Sequence, residues 1–336
     1  MSFTLAPYFH PTTVIFVDDN ESFLKSLDLE LPTHWAYRLF AEPEKALDFL
    51  NQPPPLAPLV DRCFVHSRDR TGDRSMTLDI TMIEQEINHL ARFARNSVVM
   101  VDYSMPLMNG LEFCSELTDP YIQKAMLTGV ADEKIAVQAF NAKLINRFIP
   151  KNTSHSISDI LAFAEELQHD YFTQHTARLI NTLALDPPLF LLDRDVARAI
   201  RRVMQKHNIV EYYLIDDPAG FLMLRADGSA IRILVSGPKD IRQGVIDAEN
   251  LGAPDDILQA LREGRVLMSY TDAPVDYSAG DYPWADNLVP AEPVKDAEHW
   301  RIGVVLNPPA DIDFDAGQCS YNAFLTWMES RPKTAS

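Results

Sequence analysis

Short apolar runs alternate with amphipathic stretches through the first half of the chain. Val14-Ile15-Phe16-Val17 is β-branched and aromatic, and it stops at Asp18-Asp19-Asn20. A continuous apolar run of that length fits a strand buried on both faces of a parallel sheet. Phe23, Leu24, Leu27 and Leu31 then recur at helical spacing as far as Pro32. Tyr37-Arg38-Leu39-Phe40 reads as a second strand, and Glu44 to Leu50 as a second helix with Pro43 near its start. Val98 to Val101, Lys124 to Leu127 and Arg147 to Pro150 are three further strands. Helices are expected over Leu111 to Leu117 and Glu133 to Asn141. This alternation predicts a doubly wound parallel sheet of five strands.

The alternation is interrupted over 51–96, which reads as an insertion. Its first part holds Pro53-Pro54-Pro55, Pro58 and the polar run SRDRTGDRS, a composition expected to be mobile. Apolar residues from Leu78 to Ala94 predict an extra helix over 77–95. From Ser154 to Leu185 there is no Gly or Pro, and apolar residues recur every three or four positions. That predicts a connecting helix of about 48 Å, ended by Asp186-Pro187-Pro188. An apolar stripe along a free helix must be covered, and a coiled-coil homodimer through 154–185 is the simplest cover. Residues 187–315 read as an α+β unit. Its elements are helix 193–207, strands near 211–215, 220–225 and 230–235, helices near 239–250 and 255–263, and strands near 265–269 and 300–306. Asp227-Gly228 marks a hairpin turn, and 316–336 is left as a tail.

The charges narrow the function. The net charge is −18, with acids in excess in both halves. This disfavours nucleic acid without excluding a local basic patch. Cys63, Cys114 and Cys319 form no CxxC pair, so a disulfide framework and a thiolate zinc site are not expected. The N-terminal residues do not read as a secretory signal, and no apolar run reaches the roughly 18 residues of a membrane span. The expectation is a cytoplasmic protein without a membrane segment.

Asp18 and Asp19 follow the first strand, Asp102 the third, Thr128 the fourth and Lys151 the fifth. In an open α/β sheet these positions meet outside the carboxyl ends of the strands. Three clustered carboxylates stay ionised together only beside a cation, and Mg²⁺ suits their oxygens. A lysine and a hydroxyl aimed at the same point suit a phosphoryl group, and a carboxylate can accept one as an aspartyl phosphate.

The pieces VIFVDDN, VVMVDYSMPLMNG, LTG and RFIPK, in this order and strand context, resemble the receiver (CheY-like) domain of two-component response regulators. The resemblance covers 12–153, with 51–96 inserted, and implies a flavodoxin-like fold. It also implies that Asp102 is the phosphoacceptor and that Mg²⁺ is held by Asp18, Asp19, Asp102 and the Ser104 carbonyl. Thr128 and Lys151 would contact the phosphoryl, and Phe148 would be the switch aromatic. The implied donor is a histidine kinase or phosphotransfer protein, and the chain is a signalling protein that supports its own phosphorylation and dephosphorylation. Two features depart from the family pattern. The insertion lengthens the gap before Asp102. Asn152 rather than proline follows Lys151, with Pro150 before it, which puts the usual cis peptide bond there in doubt. The segment EYYLIDDPAGFLMLRADGSAIRILV with LGAPDDILQALREG is similar to the output region of atypical response regulators from quorum-sensing systems of the Legionella type. The output is expected to act through protein or small-ligand contacts. The alternatives are a DNA-binding output, as in a transcription factor, or a phosphorylation-gated enzyme.

Other constellations read as ordinary surface. His169-Asp170 has His155 and His175 on the same predicted helix but no second HD-like motif, so it does not read as a metal-dependent hydrolase site. The basic residues Arg194, Arg198, Arg201, Arg202 and Lys206 form one face of an amphipathic helix. Asp255 and Asp256 suit a helix start better than a recognition helix. Asp216-Asp217, Asp227 and the Asp311 to Asp315 stretch lack the EF-hand pattern.

Overall fold

A computed structural model of the chain describes residues 5–54, 56–68, 74–129, 133–151, 156–183, 188–216, 218–269, 282–306 and 314–330. The strands are β1 (Tyr8–Phe9), β2 (Thr13–Val17), β3 (Tyr37–Phe40), β4 (Phe64–Arg68), β5 (Arg74–Leu78), β6 (Asn96–Asp102) and β7 (Gln123–Thr128). They continue with β8 (Arg147–Pro150), β9 (Ile209–Ile215), β10 (Gly220–Arg225), β11 (Ala230–Ser236), β12 (Val266–Met268), β13 (Leu288–Val294) and β14 (Ala297–Val305). The chain divides into two compact units, each made of three stretches. One comprises His10–Ala57, His89–Ala177 and Gly317–Ser336. The other comprises Met1–Phe9, Pro58–Asn88 and Arg178–Ala316.

The first unit holds a parallel sheet in the order β3-β2-β6-β7-β8. Its strands are apolar on both faces because both faces are covered. Ile15, Val17, Val99, Val101 and Met126 belong to one core, with residues of the helices Pro43–Leu50, Gly110–Glu116 and Glu133–Asn141. Val14, Phe16, Val98, Met100 and Leu127 belong to the other. There they meet Leu24 and Leu27 of helix Glu21–Glu30 and Ile160, Ala164 and Leu167 of helix Ser156–His175. The period-two alternation of each strand divides its side chains between the two cores.

This corrects the reason for a homodimer through 154–185. The apolar stripe is buried on the sheet of its own chain, so it requires no second copy. The helix also stops at His175, where the Thr176 hydroxyl donates to the Phe172 carbonyl at 2.6 Å; a short helix, Ala177–Leu183, follows. The tail supplies helix Tyr321–Glu329, with Tyr321, Phe324 and Met328 buried.

The second unit holds an antiparallel sheet in the order β1-β9-β10-β11-β14-β13-β12. Helix Arg194–Lys206 buries Val196, Ala197 and Ile200. Asp193 caps it through the Asp195 and Val196 amides and also accepts from Trp300 Nε1 at 3.1 Å. Helices Pro238–Asn250 and Asp255–Arg262 share a core with Met268 and Tyr282. Two strands of this sheet escape the sequence pattern: β1 is only two residues long, and β13 carries Pro290 and Pro293. Prolines are rare within sheets because they donate no ladder bond; here the register shifts between Pro293 and Val294.

The insertion differs most from expectation. Leu59, Val60 and Cys63 of a short helix, Leu59–Cys63, are buried, and β4 pairs with β5 as a hairpin. The mobile stretch expected here is therefore structured on both sides of 69–73, which lie outside the described residues. The helix expected over 77–95 is β5, a helical turn Thr81–Gln85, and 3₁₀ turns Glu86–Asn88 and Leu90–Ala94. Two local causes stand out. Asp79 accepts from both the amide and the hydroxyl of Thr81, starting a new turn. Ile83 and Ile87 also belong to one unit and Phe93 to the other, so one continuous helix cannot serve both.

Candidate functional site

Each strand of the parallel sheet delivers its polar residue at the carboxyl end. Asp18 follows β2, and its amide donates to the Phe40 carbonyl at 3.0 Å. Asp102 and Thr128 are the last residues of β6 and β7, and Lys151 follows β8 with its amide on the Thr128 carbonyl at 2.9 Å. One ligand oxygen from each of Asp18, Asp19 and Asp102 lies within 4.8 Å of the others. Asp18 and Asp102 are buried and Asp19 is exposed. Lys151 Nζ stands 2.5 Å from Asp18 Oδ2 and 2.7 Å from Asp102 Oδ1. Burial raises the Asp18 carboxyl above its usual range. Its hydrogen bond and charge interaction with Lys151, and the Asn20 amide, only partly offset this.

The Thr128 hydroxyl is buried and has no hydrogen-bond partner among the described residues. A buried hydroxyl left without a partner is costly. This one ends β7, the strand beside β6 and its terminal Asp102, and an anionic oxygen bound there would satisfy it. The oxygen-only donor set fits a hard divalent cation such as Mg²⁺.

The surrounding loops hold these groups in place. Asn20 caps helix Glu21–Glu30 through the Ser22 and Phe23 amides, and its own amide binds Asp18 Oδ1 at 3.0 Å. Asn109 and Glu112 form a reciprocal cap on helix Gly110–Glu116. The Gly110 amide donates to the Tyr103 carbonyl at 3.0 Å. A Cβ at Gly110 would lie 2.5 Å from the Asp102 carbonyl oxygen, so the loop closes this tightly only around glycine. Leu107 adopts φ 71° in the same loop with its side chain 93% exposed. Ser104 is exposed two residues beyond Asp102. Phe148 is partly buried against the core and meets Phe140 edge-on at 6.3 Å. Asn152 lies outside the described residues. All seven residues predicted from the sequence thus belong to this unit; Asp18, Asp19 and Asp102 cluster, and Lys151 contacts Asp18 and Asp102. The sequence reading missed Asn20, Phe23 and the Asn109–Glu112 cap. The N-cap pattern Asn-x-x-Glu was visible in it.

The other constellations are surface. His169 and Asp170 are exposed, as are Arg194, Arg198, Arg201, Arg202 and Lys206. Asp255 and Asp256 are exposed at their helix start. Asp311 to Asp313 lie outside the described residues. Burial pushes the Cys63 and Cys114 thiols up to about 12, so both are unreactive.

Sheet order, acid cluster and lysine together define a flavodoxin-like receiver domain, joined in one chain to an antiparallel α+β unit. The Legionella pneumophila response regulator LqsR is similar over nearly the whole length. Its identity is 31%, covering 98% of this chain and 97% of that one, with a TM-score of 0.79. The chain belongs to the response regulators, with the receiver and output of the LqsR kind. An adenylate cyclase from Rhodopirellula baltica matches at 22% identity, covering 51% of this chain and 98% of its own, with a TM-score of 0.37. A CheY-like receiver domain protein from Methanospirillum hungatei matches at 17%, covering 49% and 98%, with a TM-score of 0.32. Family membership rests on the first. No family model matches the sequence, and no curated protein does. No helix among the described residues is long and apolar enough to cross a membrane.

Proposed function

We propose that this response regulator is switched by phosphorylation of Asp102. The observation that carries this is the convergence of three carboxylates within 4.8 Å at the strand ends, with Lys151 bridging two of them; the buried Thr128 hydroxyl at the end of β7 has no hydrogen-bond partner among the described residues. A carboxylate oxygen of Asp102 attacks the phosphorus of a phosphohistidine on a histidine kinase or phosphotransfer protein. The P–O bond forms, the P–N bond breaks, and the imidazole leaves. Asp18, Asp19, Asp102 and the Ser104 carbonyl would hold Mg²⁺. When bound, the ion supplies positive charge for the acids and the phosphoryl oxygens.

Lys151 releases Asp102 and pairs with a phosphoryl oxygen, while the Thr128 hydroxyl donates to another. The lysine shift passes the added charge to β8 and Phe148. Water later cleaves the acyl phosphate and restores the carboxylate. The regulator would act in the cytoplasm, its α+β unit signalling through protein or small-ligand contacts rather than by catalysis.

The test is acetyl phosphate labelling with borohydride trapping and mass spectrometry. Label on Asp102, abolished in Asp102→Asn, is expected. Undiminished labelling of that variant, or label on Asp18 or Asp19, would overturn the assignment.

A further inference from the structure

The Lys151 ammonium has a third neighbour. The Phe23 ring centroid lies 4.9 Å from Nζ, within cation–π range. This contact follows from the loop after β2. Asn20 starts helix Glu21–Glu30 by accepting from the Phe23 amide, so the ring stands within the first turn, beside the acid pair. Two carboxylates and one aromatic ring therefore surround an ammonium whose side chain is only 19% exposed.

We infer that Phe23 is a positioning residue for phosphoryl transfer: its ring holds the Lys151 ammonium against the acid cluster. The inference rests on the phosphorylation reading above. The carboxylates are partners that Lys151 must partly give up when a phosphoryl group arrives. The ring carries no formal charge and makes no hydrogen bond to exchange, so it can stay beside the ammonium while Lys151 trades Asp102 for the phosphoryl oxygen. Without it, water would reach the ammonium and Lys151 would sample rotamers pointing away from the site. A contact of this kind changes rates by roughly three- to tenfold.

Phe23→Leu keeps an apolar side chain and removes the π face; Phe23→Tyr keeps the face. The test measures acetyl phosphate labelling and acyl phosphate lifetime for both variants, with Asp102→Asn as control. Two-dimensional NMR of the unphosphorylated protein follows the ring-current shift of the Lys151 ε-methylene protons. Phe23→Leu should lower the maximal labelling rate about three- to tenfold with little change in the KM for acetyl phosphate, and lose the upfield Lys151 shift. Phe23→Tyr should retain both, with equal melting temperatures across the set. A wild-type rate in Phe23→Leu, or equal loss in both variants, overturns the role. If Asp102→Asn labels normally while the Lys151 shift still depends on the ring, the phosphoacceptor assignment fails and the contact stands.

Discussion

Arg92 is almost fully buried, and its Nη2 donates to the carbonyl oxygen of Cys319 at 2.9 Å, across 227 positions of chain. The guanidinium also lies 3.9 Å from the Phe93 ring centroid. Phe93 packs on Tyr321 and Phe324 at 5.1 and 5.5 Å, and the Tyr321 hydroxyl accepts from the Ala36 amide at 3.0 Å. Helix Tyr321–Glu329 is thus part of the receiver core. Phe324→Ala should cost about 3–5 kcal/mol of stability. Urea unfolding followed at the receiver checks this; an unchanged midpoint would contradict it.

Asp18 should trade stability for its role. Its carboxyl is raised above the unfolded value by burial, so the folded state binds that proton more tightly. The ionised form therefore costs stability at neutral pH, and this cost fades as pH falls through the raised value. Asp18→Asn should raise the melting temperature at pH 7. The gain should shrink at pH 4 in calorimetry.

Two buried histidines set an acid limit. Burial lowers His10 well below its usual value, against the opposing hydrogen bond to the Pro11 carbonyl. Burial and then Arg95 lower His175 to about 4. His10 packs edge-on against Phe172 and Phe93, and His175 stacks on Tyr171 and meets Tyr121. Below the unfolded value of about 6.5 the unfolded chain takes up protons that the folded chain refuses. Stability should be full above that pH. It should then fall by about 1.4 kcal/mol per pH unit for each histidine, for His175 until about pH 4. His175→Phe should flatten the slope measured by denaturant titration between pH 6.5 and 4.

Gly110→Ala should disable the site while leaving the antiparallel unit folded. The new methyl would meet Asp102 backbone oxygen at 2.5 Å and Tyr103 Cα at 3.1 Å, neither of which is a flexible side-chain end. The loop carrying Asp102 must shift. Acetyl phosphate labelling should drop by at least tenfold, since misplacing a reacting group by about 1 Å costs about 10²-fold. Wild-type labelling would show that the loop adjusts freely.

The parallel sheet was readable because each strand is apolar on two faces, and the site because its residues sit immediately at strand ends. The long helix was readable as an element but not in its role. Ile160, Ala164 and Leu167 recur with the same period whether they pack on a sheet or on a second copy. The insertion was misread because Ile83, Ile87 and Phe93 form a helical series whose members serve different cores. Pro290 and Pro293 hid β13 by removing donors that a strand pattern assumes. Phe23 was read as an ordinary apolar position because its value lies in a lysine 128 positions away.

The alternation of chain stretches between the two units bears on synthesis. The parallel unit begins at His10, yet its Arg92 and Phe93 also take partners from the stretch beginning at Gly317. The antiparallel unit likewise starts with β1, whose partner β9 is made some 200 residues later. A ribosome therefore cannot release a finished receiver before starting the output. The antiparallel unit is supplied in full by Ala316, whereas the parallel unit still takes the stretch from Gly317, so the receiver core is completed only after the last output strand has been made.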